Sequence, residues 1–290
     1  MHLNTFSIVA YDPEEQAWGV AVASKFLAAA AVVSWARAGA GAVATQSFAK
    51  VGFGPTGLDL MASGKSASEA LTEMLADDPK RESRQVGLID RNGHVAAHTG
   101  SECHEWAGHK LGDGFCVQGN ILTGSDVLDA MSDSFIGAKG ELADRLVAAL
   151  LAGSAAGGDR RGKQSSGVLV VKENGGYGGD NDRYIDLRVD DDEAPIKKLK
   201  TLVESHHLFF GTPKKSDLVK IDEAIARELQ TIMLKQDYWA GEVDGSWDAL
   251  TQQAFWSLIG NENLEERWDP DRTPKQIDKV ALEYLRRRFS

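Results

Sequence analysis

Strand-like runs, then helices, then strands, helices and strands again predict a layered α+β domain with antiparallel sheets and helices on its outer faces, followed by a small three-helix domain. Three observations carry this. The early runs are short, rich in Val, Ile and Phe, and separated by turn residues, as in hairpins. The helices come in groups, so the regular strand-helix alternation of a parallel doubly wound sheet is missing. After Val189 the composition changes, and the last part gathers Trp239, Trp247, Trp256 and Trp268 among amphipathic stretches.

Thr5 to Ala10 and Ala17 to Ser24 flank a YDPEEQ turn and predict the first hairpin. Val32 to Ala36 and Gly41 to Gln46 continue the strand pattern, and the small residues from Gly39 to Ala42 suit close backbone approach. Leu58, Met61, Ala70, Leu71, Met74 and Leu75 recur at helical spacing with a break at Gly64, which predicts two successive helices. Ser66 caps the second, with Glu69 three residues on as in a capping box. Gln85 to Asp90 and His94 to Thr99 read as strands around an RNG turn, and Gly114 to Asn120 as another. Helices follow at Ser125 to Ser134 and Glu141 to Ala152, then strands at Ser166 to Lys172 and Tyr184 to Val189. Ile196 to Leu208 is a helix and FFGTPKKSD a linker, so the expected domains are 1–210 and 211–290. In the second, Leu218 to Met233, Ala249 to Ile259 and Pro274 to Arg287 are the three helices, with Gly241 and Gly245 in a turn and Asp248 as a cap. Trp239, Trp247 and Trp256 are expected to divide between a small core and an exposed aromatic face.

A formal charge of -11 over 290 residues argues against a nucleic-acid partner, because phosphate binding needs a basic footprint. The one basic run, Arg286 to Arg288, suits a helix C-terminus. No stretch approaches the ~20 apolar residues of a membrane span, and MHLNTFSIVAYDPEEQ lacks the pattern of a signal peptide, so no membrane contact and a cytoplasmic location are expected. Cys103 and Cys116 are too few to staple such a fold. His98, Cys103, His104 and His109 match no standard zinc spacing, and GGYGGD lacks the Lys-Ser/Thr of a phosphate loop, so neither metal nor cofactor is expected.

The strings TFSIVAYDPE, WARAGAGAVATQ, QVGLID, GDGFCVQGNILTG, AGGDRRGKQS and GGYGGDNDRYIDLRVDD, in that order, resemble the DUF1028 family, which is classed with N-terminal-nucleophile (Ntn) hydrolases. They span nearly all of residues 5 to 210. YWAGEVDGSWDALTQQAFW is similar to peptidoglycan-binding domains over about 217 to 270. The resemblance implies a four-layer αββα sandwich and an amidohydrolase that cleaves an amide or related C–N bond. A non-catalytic glycopeptide- or protein-binding protein on an inactive hydrolase fold is the alternative. Implied partners are a small-molecule or peptide amide and peptidoglycan fragments, and a homo-oligomer is compatible with the sequence.

An N-terminal threonine attacks a carbonyl with its hydroxyl while its own α-amine takes the proton. Thr5, which opens the first strand, is the candidate, although Thr is also a good strand residue. Members of the family commonly begin Met-Thr, whereas here Met1 to Asn4 precede Thr5, so activity at Thr5 requires their cleavage, a different start codon, or another base. His2 is too large for ordinary methionine removal, so self-cleavage by the Thr5 hydroxyl at the Asn4 carbonyl is expected. Arg37 falls where proteasome-type relatives carry a cation beside the nucleophile, or else in an ordinary ion pair. Asp159, with Ser165 and Ser166, resembles the supporting Asp and Ser of those relatives. Backbone N–H groups near Gln46 and Ser47 are candidate oxyanion donors, as is the Asn120 side chain, unless Asn120 only serves a turn. Ser24, Lys25, Arg160 and Arg161 are candidate substrate contacts, the arginines for a carboxylate. Asp180, Asp182, Arg183 and Asp186 form a charged string that suits either substrate binding or a surface strand.

Overall fold

In the computed structural model, which describes residues 5–290, the chain divides into two compact units, Met1–Val203 and Glu204–Ser290. The leader Met1 to Asn4, on which the processing expectation falls, lies outside the described residues.

The first unit runs β1 (Thr5–Asp12), β2 (Ala17–Ser24), α1 (Ala30–Val33), β3 (Ser34–Arg37), β4 (Gly41–Ser47), α2 (Phe53–Ala62), α3 (Ala67–Ala76), β5 (Arg84–Asp90), β6 (Val95–Thr99), β7 (Gly108–Gly112), β8 (Phe115–Gly119), α4 (Asp126–Gly137), α5 (Leu142–Ala155), β9 (Ser165–Lys172) and β10 (Arg183–Val189). The helix α6 (Pro195–Phe210) carries the chain across the division. The strands pair in antiparallel fashion as a six-stranded sheet of order β10-β9-β2-β1-β8-β7 and a four-stranded sheet of order β3-β4-β5-β6.

The two-residue period of a strand explains the layers. Phe6, Ile8 and Ala10 of β1 join a core with Met131 of α4 and Leu142, Leu146 and Leu150 of α5. The alternate Val9 joins Val20 and Val22 in a second core with Ala42, Ala44 and Ile89 of the other sheet. Val43, Val86 and Leu88, on the far face of that sheet, pack on Leu58 and Met61 of α2 and on Leu71 and Met74 of α3. The first unit is therefore a four-layer αββα sandwich. Both faces of β1 and β2 are covered, so these strands read as nearly continuous apolar runs.

Three local readings need correction. Ala30–Val33 forms one helical turn before the strand begins at Ser34, because Ala28, at φ 51°, redirects the chain and Val33 is fully buried. β7 escapes the apolar pattern because Gly108–Gly112 is a polar edge strand, held to β8 by a tight turn at Gly114, φ 69°. Phe209 and Phe210, expected in a linker, are helical, and Phe209 packs on the core of the second unit. The capping box of α3 forms as read, with Ser66 and Glu69 each accepting from the other's backbone N–H.

The second unit contains β11 (Leu218–Lys220), α7 (Glu223–Lys235), α8 (Ala249–Asn261), β12 (Gln276–Asp278) and α9 (Lys279–Phe289). The helices expected to start at Leu218 and Pro274 start later, because β11 and β12 pair as a short ribbon and Asp222 and Asp278 then cap the helices that follow. Phe255, Leu258, Ile259, Leu282 and Leu285 build a core around Trp268, which is 1% exposed. Trp247 rests edge-on against Phe255 and Trp268 and donates to the Pro274 carbonyl at 2.7 Å, whereas Trp256 is 38% exposed. Arg286 to Arg288 occupy the last turn of α9.

Candidate functional site

Antiparallel register sets Ser24 opposite Thr5 and Ser165 opposite Ser24, and the Asn120 N–H donates to the Thr5 carbonyl at 3.0 Å. Asn120, Thr5, Ser24 and Ser165 thus form one row across an end of the six-stranded sheet, each at most 2% exposed. Thr5 shares a face with Ser7, two residues on, and the Ser7 hydroxyl donates to Gln46 Oε1 of β4 at 2.6 Å. The row therefore faces the four-stranded sheet.

The Thr5 hydroxyl donates to Ser24 Oγ at 3.3 Å, and Gln46 Nε2 reaches the Thr5 carbonyl at 3.3 Å. Behind them is a buried amide network. Gln85 Oε1 accepts from Gln46 Nε2 at 2.8 Å and from Asn120 Nδ2 at 2.9 Å. Gln85 Nε2 donates to Thr99 Oγ1 and to the Gly108 and Gly119 carbonyls, at 3.0, 3.0 and 2.8 Å. These bonds fix which end of each amide is oxygen, and they leave Asn120 Oδ1 buried without a partner. Gln118 Nε2 donates to Ser7 Oγ at 2.7 Å, in space that exists because Gly87 has no side chain: a Cβ there would lie 2.2 Å from Gln118 Oε1.

Asp159 and Ser165 act one step away from the nucleophile expected of them. The Asp159 carboxylate, 1% exposed, accepts from the Lys25 and Arg161 backbone N–H groups at 2.9 Å each and pairs with the Arg161 guanidinium at 3.0 Å. Ser165 Oγ donates to the Phe26 carbonyl at 2.6 Å and accepts from the Ala29 N–H at 3.1 Å. Both fix the segment that leaves Ser24. Ser166, next along β9, is on the opposite face, its hydroxyl buried without a partner. The Lys25 and Arg160 side chains are exposed. Beside the row, a cavity of about 10 Å³ touching Ser24, Asp159, Lys163 and Ser165 has room for one water.

Ser47, at φ 63°, ends β4 in a left-handed turn. Its side chain hydrogen-bonds Cys103, whose thiol pKa is pushed up by burial despite that bond. The Cys103 thiol also donates to the Arg84 carbonyl at 3.3 Å, and His98 and His109 bond to the Arg81 carbonyl and to Thr99 Oγ1, so these side chains are engaged within the protein.

Two expected residues are not brought to the row. Arg37 lies opposite Gly41, five residues along β4 from Gln46 and so roughly 17 Å away at ~3.4 Å per residue. Its half-exposed guanidinium pairs with Asp59 of α2 at 2.9 Å, the ordinary ion pair. Asp182 accepts from the Asn174 N–H at 3.0 Å in the β9–β10 connection, at the end of β9 away from Ser165. Conversely, sequence reasoning missed Gln85, Gln118 and Ser7. The available signal was a lone Gln in each of the otherwise apolar strings QVGLI and FCVQG.

The model of a "Family of unknown function (DUF1028)" matches residues 5–199, and that of a "Putative peptidoglycan binding domain" matches residues 209–285. The crystal structure of protein SPO2555 from Silicibacter pomeroyi, itself matched to DUF1028, is similar at 30% identity and a TM-score of 0.66, covering 74% of this chain and 93% of that one. No curated protein matches. With both its sequence and its sandwich matched over the first unit, the chain belongs to the DUF1028 family.

Proposed function

We propose that the chain is an Ntn amidohydrolase that cleaves an amide or related C–N bond through Thr5, once the bond between Asn4 and Thr5 has been cut. The observation that carries this is the setting of Thr5: first residue of β1, its hydroxyl on Ser24 Oγ, its carbonyl fixed by the Asn120 N–H and Gln46 Nε2. In self-cleavage, Thr5 Oγ1 attacks the Asn4 carbonyl, the C–N bond breaks, and the chain is held as an ester with a free Thr5 amine. Water then hydrolyses the ester and releases residues 1–4. In turnover the free amine, with an ordinary pKa near ~8, takes the hydroxyl proton as Oγ1 attacks the substrate carbonyl. The proton passes to the leaving amine, and water resolves the acyl-enzyme.

The second N–H of Asn120 Nδ2 and the backbone N–H of Ser47 are the oxyanion donors of this reading, because the Gln46 N–H points into the β4–β5 ladder toward Gln85. Asn120 Oδ1, buried and unpartnered, offers an acceptor one strand from the new amine. Thr5 has no exposed surface, so turnover requires the site to open first, and the reading makes leader removal that event. Match of the second unit to the "Putative peptidoglycan binding domain" model supports wall-derived peptide amides as substrate.

Full burial of Thr5 and the engagement of Arg37 by Asp59 favour a second reading, a glycopeptide-binding protein on an inactive hydrolase fold. Intact-mass spectrometry and N-terminal sequencing separate the two. Under the first reading, residues 1–4 are lost, Thr5→Ala abolishes both processing and amide hydrolysis, and Thr5→Ser retains some of each. Retained Met1 to Asn4 in a protein that binds muropeptides without turnover establishes the second.

A further inference from the structure

Away from the Thr5 row, α1 and β3 overhang the β9–β10 edge of the six-stranded sheet, and between them is an open cleft of about 210 Å³. Its position, three to four residues along β9 from Ser165 and two strands from β1, is on the order of 15 Å from Thr5 at ~3.4 Å per residue and ~4.8 Å per strand. Small and apolar groups form much of its wall: Ala30 and Ala31 of α1, Ala36 of β3, and Leu169 of β9. Across from them are Arg183, Asp186 and Arg188 of β10.

Strand geometry makes this placement unusual. Ile185, Leu187 and Val189 pack outward onto the helix layer, so Asp186 and Arg188 fall on the inner face, in register with Leu169 and Gly167. A bulge between Arg183 and Ile185 brings Arg183 opposite Val171 of the same inner face. Three charges thus occupy the side of the strand that elsewhere meets the other sheet. Inward-facing charges do protect a sheet edge, but an edge alone needs no concavity lined by methyl groups. Ser34, on the β3 wall, adds a hydroxyl whose oxygen is buried with no hydrogen-bond partner.

We propose that this cleft is a binding site for a small aliphatic monocarboxylate of about the size of an acylated amino acid, separate from the Thr5 site and independent of its chemistry. The lining side chains, two arginines and one aspartate, leave one net positive charge, and Asp190 beside Arg188 brings the group to neutral, so the cleft suits a single carboxylate that displaces Asp190 better than a dianionic phosphate. The partners the arginines now have are weak: Arg183, mostly exposed, to Asp186 at 3.3 Å, and Arg188 to Asp190 at 3.8 Å on half-exposed side chains. An incoming carboxylate can recruit guanidinium groups held so loosely, because exposed pairs contribute little. The alanines and Leu169 take the aliphatic body. A volume of about 210 Å³, below the ~300 Å³ at which drug-sized sites begin, limits that body to a single residue.

The test uses the full-length protein and isothermal titration with N-acetyl-leucine, against N-acetyl-leucinamide as the uncharged control and inorganic phosphate as a bare anion. The acid binds at least tenfold more tightly than the amide or phosphate. Arg188→Gln weakens it at least tenfold, as does Ala36→Leu, which fills the cleft without touching the charges. Thr5→Ala leaves it unchanged, which separates this site from the proposed hydrolase. No binding up to 10-fold above millimolar acid, equal binding of acid and amide, a preference for phosphate, or indifference to both cleft variants overturns the proposal.

Discussion

Removal of the Asp159 carboxylate tests whether the turn after Ser24 is held as described. In Asp159→Ala, the Lys25 and Arg161 backbone N–H groups lose a charged acceptor at 2.9 Å each. Hydrogen bonds to charged groups contribute about 1.5–3 kcal/mol apiece. The Arg161 ion pair adds at most about 1 kcal/mol, because its guanidinium is 36% exposed and water takes over. The sum runs from about 3 to 7 kcal/mol, and water reaching the freed N–H groups in part places the cost in its lower half, about 4 kcal/mol. For a unit of this size, about 2–4 °C of midpoint per kcal/mol gives a drop of about 8–16 °C. Asp159→Asn keeps one acceptor oxygen and should lose about half as much. Differential scanning calorimetry of the full chain reads this in the first unit's transition, with the second unit's transition as internal reference. An Asp159→Ala midpoint within about 2 °C of wild type refutes the reasoning, since the two N–H groups would then have found water or another acceptor at no cost.

Three further outcomes follow from the same kind of contact. Asp278→Ala strips the counter-ion from Arg267, whose guanidinium is 8% exposed and 2.6 Å from Asp278, and also uncaps α9; a loss of about 4 kcal/mol should lower the second unit's midpoint by at least 15 °C, roughly, while leaving the first transition in place. Gly87→Ala drives a methyl group against Gln118, so the urea midpoint of the first unit should fall by the equivalent of about 1–3 kcal/mol at constant m, and an unchanged midpoint contradicts the close approach. The Arg84 guanidinium beside Asp78 holds that carboxyl below its usual range, so the pair stabilises above the unfolded pKa of about 4 and is lost as pH falls through the lower folded value; Asp78→Asn should therefore flatten the acid limb of midpoint against pH between about 2 and 5, and equal slopes would reject this assignment.

How much of this was legible depended on whether local chemistry or long-range register made the feature. The Ser66–Glu69 capping box, the hairpin around YDPEEQ and the Asp248 cap are decided within a few residues, and each can be read from its string. The row of Asn120, Thr5, Ser24 and Ser165 joins segments up to 160 residues apart, and only the family resemblance pointed to it. Arg37 illustrates the converse. A position in WARAGAG matched the region of a supporting cation, yet strand period turns it to the α2 face with Trp35, whose ring packs on Gly54. Gln85 and Gln118 were passed over because a glutamine in a strand reads as solvent-facing, and only a second sheet stacked on the first makes it interior.

The placement of Arg37 changes how the proposed amine would be made basic without being charged. A neighbouring cation lowers an amine's pKa by repelling its protonated form, and the described hydrogen-bond partners of Thr5 are instead a hydroxyl and amides, from Ser24, Gln46 and the Asn120 backbone. Burial works in the same direction, since it disfavours the ammonium relative to the neutral amine. Thr5, Ser24, Gln46, Gln85 and Asn120 are all at most 2% exposed in the closed row, so even after leader removal opens one side, the amides that hold the Thr5 carbonyl keep a freed amine partly desolvated. Starting from an ordinary value near ~8, a modest downward push suffices to keep it neutral at pH 7. The uncharged network of Gln46, Gln85 and Asn120 then has a physical reason under the hydrolase reading: it orients Thr5 while adding no charge that would pull the amine's pKa back up.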